Sequence, residues 1–426
     1  MIFYTSILSN YLPRALLLAE SVLSHHPSSF FRIYIYDFSS IPPDSLSALS
    51  SCIPNSCSAR LDFCDSTKVL PNPCSFNARY DVVESCTAVK PFIARFILEE
   101  VSTVVYLDPD IYVYQPMFDD EASFLPNNWD MHLTPHVLRP YPTSLLSERL
   151  FLSHGIFNLG YFAARNSPSV LLFLDWWCET VDFYGVNFPA SGLFVDQKPL
   201  DFAPVFIERL NISRHPGWNV AWWNLFCDDR RIESDRRIIF NGLEWPLVFF
   251  HFSNLDSTDK SSPLVSKPLS LLRGSDPRRL ELASYEELNE LYQSYFKLLE
   301  RSTSAVEHVI SSSLMHVLPR GIIAKIGRII NSELYRLVHI IYDQDSATSI
   351  YRILASSHLC VRIYKFVELL LRSGINLRQH FRILLSIVIQ GLLSPTLFDF
   401  TRIEKRSRVS RRNRDKKLVE SNISTC

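Results

Sequence analysis

The chain has 426 residues, 47% hydrophobic and 20% charged, with a formal net charge of −1. That is long enough for a sizeable core and more than one domain, and it excludes a disordered or fibrous composition. The near-neutral total hides an asymmetry, because residues 1–300 carry −12 and residues 301–426 carry +11; an acidic N-terminal part argues against nucleic acid as its main ligand and suits anions bound through a metal or local donors.

The opening, MIFYTSILSNYLPRA, shows none of the three regions of a signal peptide, so the fold is expected to begin at once, with a strand at Ile2-Phe3-Tyr4. Pro13 then opens a helix, a position where its missing N–H costs nothing, with Leu16, Ala19 and Leu23 on one face. Arg32–Tyr36 reads as a second strand and Leu61-Asp62-Phe63 as a weaker third. A helix is expected from Thr87 to Glu100, again with an early proline, Pro91. Val104–Leu107 lacks alternation, which suits a central strand covered on both faces. Strand, helix, strand, helix, strand is the pattern of a mostly parallel sheet.

Asn158–Ala163 continues as a strand, Pro168 to about Phe183 as a helix, and Pro246–His251 as a last buried strand. All seven tryptophans fall between Trp129 and Trp245, a concentration that fits core better than a ligand platform. Cys52, Cys57, Cys64 and Cys74 are the closest cysteines, but they lack zinc-site spacing and read as reduced thiols.

Beyond Asp256 the character changes. Residues 1–256 are expected to form one domain, residues 257–400 a linker (Ser257–Pro277) and a helical region, and residues 401–426 a basic, disordered tail. Ser284-Tyr285-Glu286-Glu287 has the capping-box pattern of a helix running to about Arg301. Ile383–Phe398 has no charge for 16 positions, short of the roughly 20 needed to span a bilayer, and reads as a buried or membrane-surface helix. These features suggest a cytoplasmic protein, with peripheral contact on the inner face of a membrane through the basic region left open; no nucleic acid is expected.

One stretch carries chemistry. VVYLDPDIYVYQP, residues 104–116, sends two carboxylates, Asp108 and Asp110, out of the carboxyl end of the central strand, where open α/β sheets collect ligands. Pro109 stiffens the turn between them, so both can point at one centre. Two hard oxygens on a short turn suit Mg²⁺ or Mn²⁺ completed by water and substrate phosphate. A turn cap accounts for the pair about as well on geometry alone.

The arrangement resembles the Asp-x-Asp signature of GT-A glycosyltransferases, nucleotide-diphospho-sugar transferases, and other stretches resemble the family 8-like retaining branch in order. Ser9-Asn10-Tyr11, Ala19-Glu20-Ser21-Val22 and His26-Pro27 resemble the first strand, loop and helix of that family. Thr87–Phe92, Phe157–Tyr161, Phe194–Lys198 and Phe249–Ser253 resemble its basic helix, Asn-x-Gly strand, Asp-Gln segment and histidine segment. The match covers roughly residues 1–256, each motif weak and five in order strong.

The resemblance implies a Rossmann-like α/β catalytic domain with a mostly parallel mixed sheet, followed by a mainly α-helical C-terminal region. It implies Asp108, Asp110 and His251 as ligands of Mn²⁺ or Mg²⁺. Thr5, Asn10 and Tyr11 would contact the nucleotide, with Asp108 also on the donor side and Lys90 on the sugar or its phosphate. Asn158, Asp196 and Gln197 would face the donor sugar and reacting carbon. Trp218, Asn219 and Trp222 would shape the acceptor side. The expected reaction moves a sugar from a nucleotide-sugar, a UDP-sugar favoured, to a glycan or lipid-linked acceptor with retention.

Two features depart from the pattern. The family continues from its histidine as Gly-x-x-Lys-Pro-Trp, whereas this chain reads His251-Phe252-Ser253-Asn254-Leu255-Asp256 and has no lysine at that spacing. Tyr80–Glu84 and His215–Asn224 resemble instead a bacterial GT-A subgroup loosely tied to family 8. Two other readings stay open: a sugar-phosphate nucleotidyltransferase, although no Gly-rich phosphate loop follows the first strand, and a non-catalytic protein docking on a membrane or partner.

Overall fold

The apolar run at the N-terminus forms strand β1 (Ile2–Ile7), buried along its whole length. A 3₁₀ turn at Ser9–Tyr11 leads into helix α1 (Leu12–His25), with Pro13 in its first turn. The computed structural model describes residues 1–73, 76, 79–118, 128–139, 147–189, 192–227, 230–253, 255, 286–310, 334, 335, 338 and 339. The remaining strands are β2 (Phe30–Ile35), β3 (Leu61–Asp65), β4 (Thr103–Leu107), β5 (Ile111–Val113), β6 (Met131–Pro135), β7 (Phe157–Arg165), β8 (Asn187–Phe188), β9 (Leu193–Phe194), β10 (Leu210–Ile212), β11 (Arg231–Ile232), β12 (Arg237–Phe240), β13 (Leu243–Pro246) and β14 (Phe249–His251). The longer helices are α1, α2 (Val82–Ala88), α3 (Lys90–Ile97), α4 (Ser147–His154), α5 (Pro168–Tyr184) and α6 (Glu286–Val309).

The central sheet has seven strands in the order β10-β6-β7-β4-β1-β2-β3. β1 pairs parallel with β2 and β4, β2 with β3, and β10 with β6, whereas β7 runs antiparallel to both β4 and β6. The fold is therefore a mixed, mostly parallel α/β sheet of Rossmann-like type. From β1 the chain moves outward through β2 and β3, then returns to place β4 on the other side of β1. That reversal is a topological switch point, and the crevice at the carboxyl ends of β1 and β4 is where such sheets hold ligands.

Alternation along the strands splits the core into two layers. Phe3, Ile7, Val105 and Leu107 pack on the α1 side, while Ile2, Tyr4, Val104 and Tyr106 face α3 and α5. The β7 pattern changes parity across Gly160: Phe157 and Leu159 share a layer with Phe162 and Ala164, while Tyr161 and Ala163 face the other side. The β6–β7 register is irregular at the same place, between Leu133–Phe162 and Pro135–Phe157. An irregularity of this kind re-aims the side chains beside it.

The helix expected from Thr87 to Glu100 is two helices, divided at Val89. Asp81 and Glu84 form a capping box that starts α2 upstream of the expected boundary. Pro91 has no N–H to give the Thr87 carbonyl and its ring crowds that turn, so α2 ends and α3 restarts at Lys90.

α1 is apolar on more than the expected face. Leu16, Ala19 and Leu23 are buried with Leu12, Ala15, Leu17, Leu18 and Val22, because the sheet covers one side and α6 the other. α6 runs past the expected end at Arg301 to Val309 and buries Leu288, Leu291, Tyr292, Tyr295, Phe296, Leu299, Ser302 and Val306. Ser302 Oγ donates to the Pro13 carbonyl at 2.7 Å and Arg301 pairs with Glu20 at 2.8 Å. By internal contacts the chain divides into Met1–His316 and Val317–Cys426. In the second unit Leu334, Tyr335, Val338 and His339 are helical. The linker Ser257–Pro277, the capping residues Ser284 and Tyr285, Ile383–Phe398 and the basic tail lie outside the described residues, as does Cys74. Among the described residues no helix is long and apolar enough to cross a membrane.

Candidate active site

β4 is buried from Val104 to Leu107, and the chain turns at its end, with the Ile111 N–H donating to the Asp108 carbonyl at 3.1 Å. The Asp108 N–H donates to the Gly160 carbonyl at 2.8 Å, which fixes the turn against β7. β5 then pairs antiparallel with β14, setting His251 opposite Ile111, and the Phe252 N–H donates to the Asp110 carbonyl at 2.8 Å. Two segments nearly 140 residues apart thus meet in one short ladder, and its register brings the imidazole to the carboxylates.

His251 Nε2 lies 3.1 Å from Asp110 Oδ1 and 3.7 Å from Asp108 Oδ2. One ligand atom from each of the three residues lies within 4.8 Å of the others. Burial disfavours charge on both His251 and Asp110. Their mutual attraction outweighs it, so His251 is raised and Asp110 lowered. A divalent ion binding there would displace the imidazole proton and take over that neutralisation. Two hard oxygens from half-buried carboxylates with one buried imidazole, held by the backbone, suit a divalent metal ion.

The two oxygens of Asp108 have different partners. Oδ1 accepts from the Tyr106 hydroxyl and, at 3.1 Å, from Lys90 Nζ; Oδ2 faces His251. Tyr106 sits two residues before Asp108, and that period-two spacing on the strand was the available signal for it. Holding one oxygen aims the other, as outer-sphere partners do in metal sites.

Lys90, expected on the sugar or its phosphate, lies beside these carboxylates. Its ammonium lies 3.1 Å from each of Asp108 Oδ1, Asp196 Oδ2 and the Leu159 carbonyl, over the Tyr106 ring at 4.3 Å, and it is buried. Burial works against its charge and the two aspartates more than restore it. An ammonium has three protons, and each has an acceptor nearby. Lys90 therefore ties Asp108 and Asp196 together at the end of β4. Asp196 is buried and pushed up to about 6, chiefly by burial, with Lys90 pulling the other way. Its Oδ2 is approached off the hydrogen-bond axis and has no other partner. The residue before it, Val195, is held at φ 38°, a left-handed conformation unusual for a β-branched side chain.

Asn158, Gln197 and Asn219 meet in a second, uncharged cluster. Asn158 Oδ1 accepts from the Gly160 N–H and from Asn219 Nδ2, each at 3.0 Å, and its Nδ2 meets His136 Nε2 at 3.3 Å. Gln197 Oε1 accepts from the Leu159 N–H and its Nε2 donates to the His154 carbonyl, both at 3.0 Å. Both ends of that amide are engaged with backbone, so here Gln197 braces the irregular part of β7 and exposes no nucleophilic oxygen.

Gly160 joins the two clusters. A Cβ there would lie 2.5 Å from His251 Cε1 and 2.9 Å from Asn158 Oδ1. The glycine of the Asn-x-Gly stretch thus makes room for the imidazole.

Thr5 is fully buried in β1 and its Oγ1 has no partner. Asn10 and Tyr11 are exposed where β1 ends, at the switch point. Trp218, expected on the acceptor side, is 2% exposed, with rings of His132, Tyr161 and Phe249 4.8–5.6 Å away. Its ring is packed among these neighbours in the core. Trp222 is buried against Trp223, to which no motif gave a role; the Trp223 ring lies 5.3 Å from that of His251. Both indole N–H groups and Asn219 Oδ1 are buried without a partner.

No protein-family description matches the chain, and no curated protein matches it. Among solved structures it is similar to the galactosyltransferase LgtC in complex with donor and acceptor sugar analogues, at 15% identity and a TM-score of 0.40 over 67% of this chain and 95% of that one. Mouse xyloside xylosyltransferase 1 is similar at 15% identity and 0.35, over 59% and 96%. A glycosyltransferase involved in glycosylation of the major capsid of PBCV-1 is similar at 11% identity and 0.32, over 60% and 93%.

Proposed function

We propose that the chain is a GT-A glycosyltransferase that uses Mn²⁺ or Mg²⁺ to move a sugar from a nucleotide-sugar, a UDP-sugar favoured, to a glycan or lipid-linked acceptor with retention. The observation that carries the reading is the Asp108–Asp110–His251 cluster at the carboxyl end of β4, beside the switch point of the sheet. Asp108, Asp110 and His251 would hold the ion. When bound, the ion neutralises charge that develops on the diphosphate as the anomeric bond breaks.

The other residues have supporting parts. Tyr106 and Lys90 hold Asp108 in its ligand orientation. Asn10 and Tyr11 lie on the nucleotide side, with Thr5 behind them. Asp196, beside Lys90, faces the donor sugar, and Asn158 and Gln197 keep the turn of β7 shaped around the reacting carbon. Asn219, Trp222 and Trp223 border the acceptor side, where indole and amide groups can meet sugar hydroxyls.

The test is incubation of the full chain with UDP-sugars, with and without Mn²⁺. Metal-dependent donor binding and release of the nucleoside diphosphate are expected. Absence of both, or indifference of both to metal, would sink the reading.

A further inference from the structure

A charge count at the site leaves one cation without a carboxylate. Asp108, Asp110 and Asp196 supply three negative charges and Lys90 one positive charge, so a divalent ion with a neutral His251 brings the centre to zero. A nucleotide-sugar carries a negative charge on each phosphate, and the departing nucleoside diphosphate gains one more. Among the described residues, these five side chains leave no positive charge over to meet it.

Arg14 stands beside it on the first turn of α1. Its guanidinium lies over the Tyr11 ring, 5.1 Å from the centroid, and Nη2 donates to the Leu255 carbonyl at 2.9 Å. It is half-buried, and among the described residues it forms no ion pair. The Leu255 N–H donates to the Phe252 carbonyl at 3.3 Å and the Phe252 N–H to the Asp110 carbonyl at 2.8 Å, so the turn that holds the guanidinium is tied to the backbone of Asp110. Leu255 is four residues after His251, the place where the resembling family carries its lysine; here that position is buried, as is Phe252, which stacks on Tyr295 at 3.8 Å. The segment that would bring a lysine is instead packed on α6, and α1 brings a guanidinium to its backbone.

We propose that Arg14 binds the diphosphate of the donor, its remaining N–H groups taking phosphate oxygens in the forked geometry guanidinium offers and lysine does not. The inference rests on the glycosyltransferase reading. Its role is greatest after the bond breaks, when the leaving group is most negative.

Titration calorimetry of the full chain at saturating Mn²⁺ tests it. The probes are whichever of UDP and GDP the wild type binds more tightly, and the matching nucleoside measured by competition. Arg14→Gln keeps an N–H for the Leu255 carbonyl and removes the charge. Its affinity for the nucleoside diphosphate is expected to fall roughly ten- to hundred-fold, with nucleoside affinity unchanged. An unchanged diphosphate affinity, or an equal loss for both probes, overturns the assignment and leaves the glycosyltransferase reading standing. A wild type that binds neither diphosphate brings down both. If Arg14→Gln does not fold, Arg14→Lys replaces it: a several-fold loss confined to the diphosphate is expected, and wild-type affinity overturns the fork.

Discussion

The two clusters on either side of Gly160 are built from similar polar residues and are satisfied in opposite ways. Around Asn158 and Gln197 the amides find one another or the backbone, and nearly every donor meets an acceptor inside the protein. Around Asp108, Asp110 and His251 the carboxylates outnumber the committed cations, and an imidazole is left facing two of them. A self-satisfied network fixes shape. An acidic excess held rigidly is prepared for a cation from outside. Residues that carry equal weight in a motif therefore divide into those with an acidic excess and those that hold the strand.

The largest effect should come from breaking the acidic side. Asp110→Asn keeps the shape of the side chain but removes a ligand charge and the partner of His251. Metal-dependent turnover is expected to fall on the order of a thousand-fold. Thermal unfolding should stay close to wild type, since the replaced carboxylate lies outside the two main apolar layers. A variant that retained turnover and Mn²⁺ affinity would remove the ion from this cluster.

Gly160 and Asn158 sharpen the division. Gly160→Ala would put a methyl 2.5 Å from His251 Cε1, against a ring held by the β5–β14 ladder. Mn²⁺ affinity, measured by titration, should drop roughly ten- to hundred-fold as the imidazole is displaced. Asn158→Ala leaves the Gly160 N–H and Asn219 Nδ2 without their common acceptor. It should cost about 1–3 kcal/mol in urea unfolding while Mn²⁺ affinity stays within a few-fold. The opposite ranking of the two variants on metal affinity would dissolve the contrast.

How much of this could be read from the sequence depended on whether the cause was local. The apolar runs of β1, β2 and β4, the helix opened by Pro13, and the exit of Asp108 and Asp110 from a buried strand follow from nearby residues. His251 needed a resemblance, because its approach depends on β14 pairing with β5, a contact across nearly the whole domain. The occupied state of Lys90 was hidden for the same reason, since its acceptors come from the ends of β4 and β7 and from Asp196. Trp218 and Trp222 differ from an exposed stacking platform only through what packs over them. The break at Val89, by contrast, was legible: Asp81-x-x-Glu84 and Pro91 both announce it, and the longer apolar pattern concealed it.

The smallest expected effect separates the regions by their response to acid in the metal-free protein. His136, against Asn158, is lowered from 6.5 to about 4 by burial, so the unfolded chain takes up its proton first; its contribution is present above pH 6.5 and lost as pH falls toward 4. Asp196 is raised from 3.8 to about 6, again by burial, so the folded state takes up its proton first and gains stability as pH falls through 6. Between pH 7 and pH 5 the two should move stability by about 2 kcal/mol down and about 1 kcal/mol up, at most. His136→Gln should flatten the acid loss in urea unfolding, and Asp196→Asn should steepen it. If both variants shifted the slope in one direction, the neutral cluster and the charged one would not be the separately governed regions that their hydrogen bonds describe.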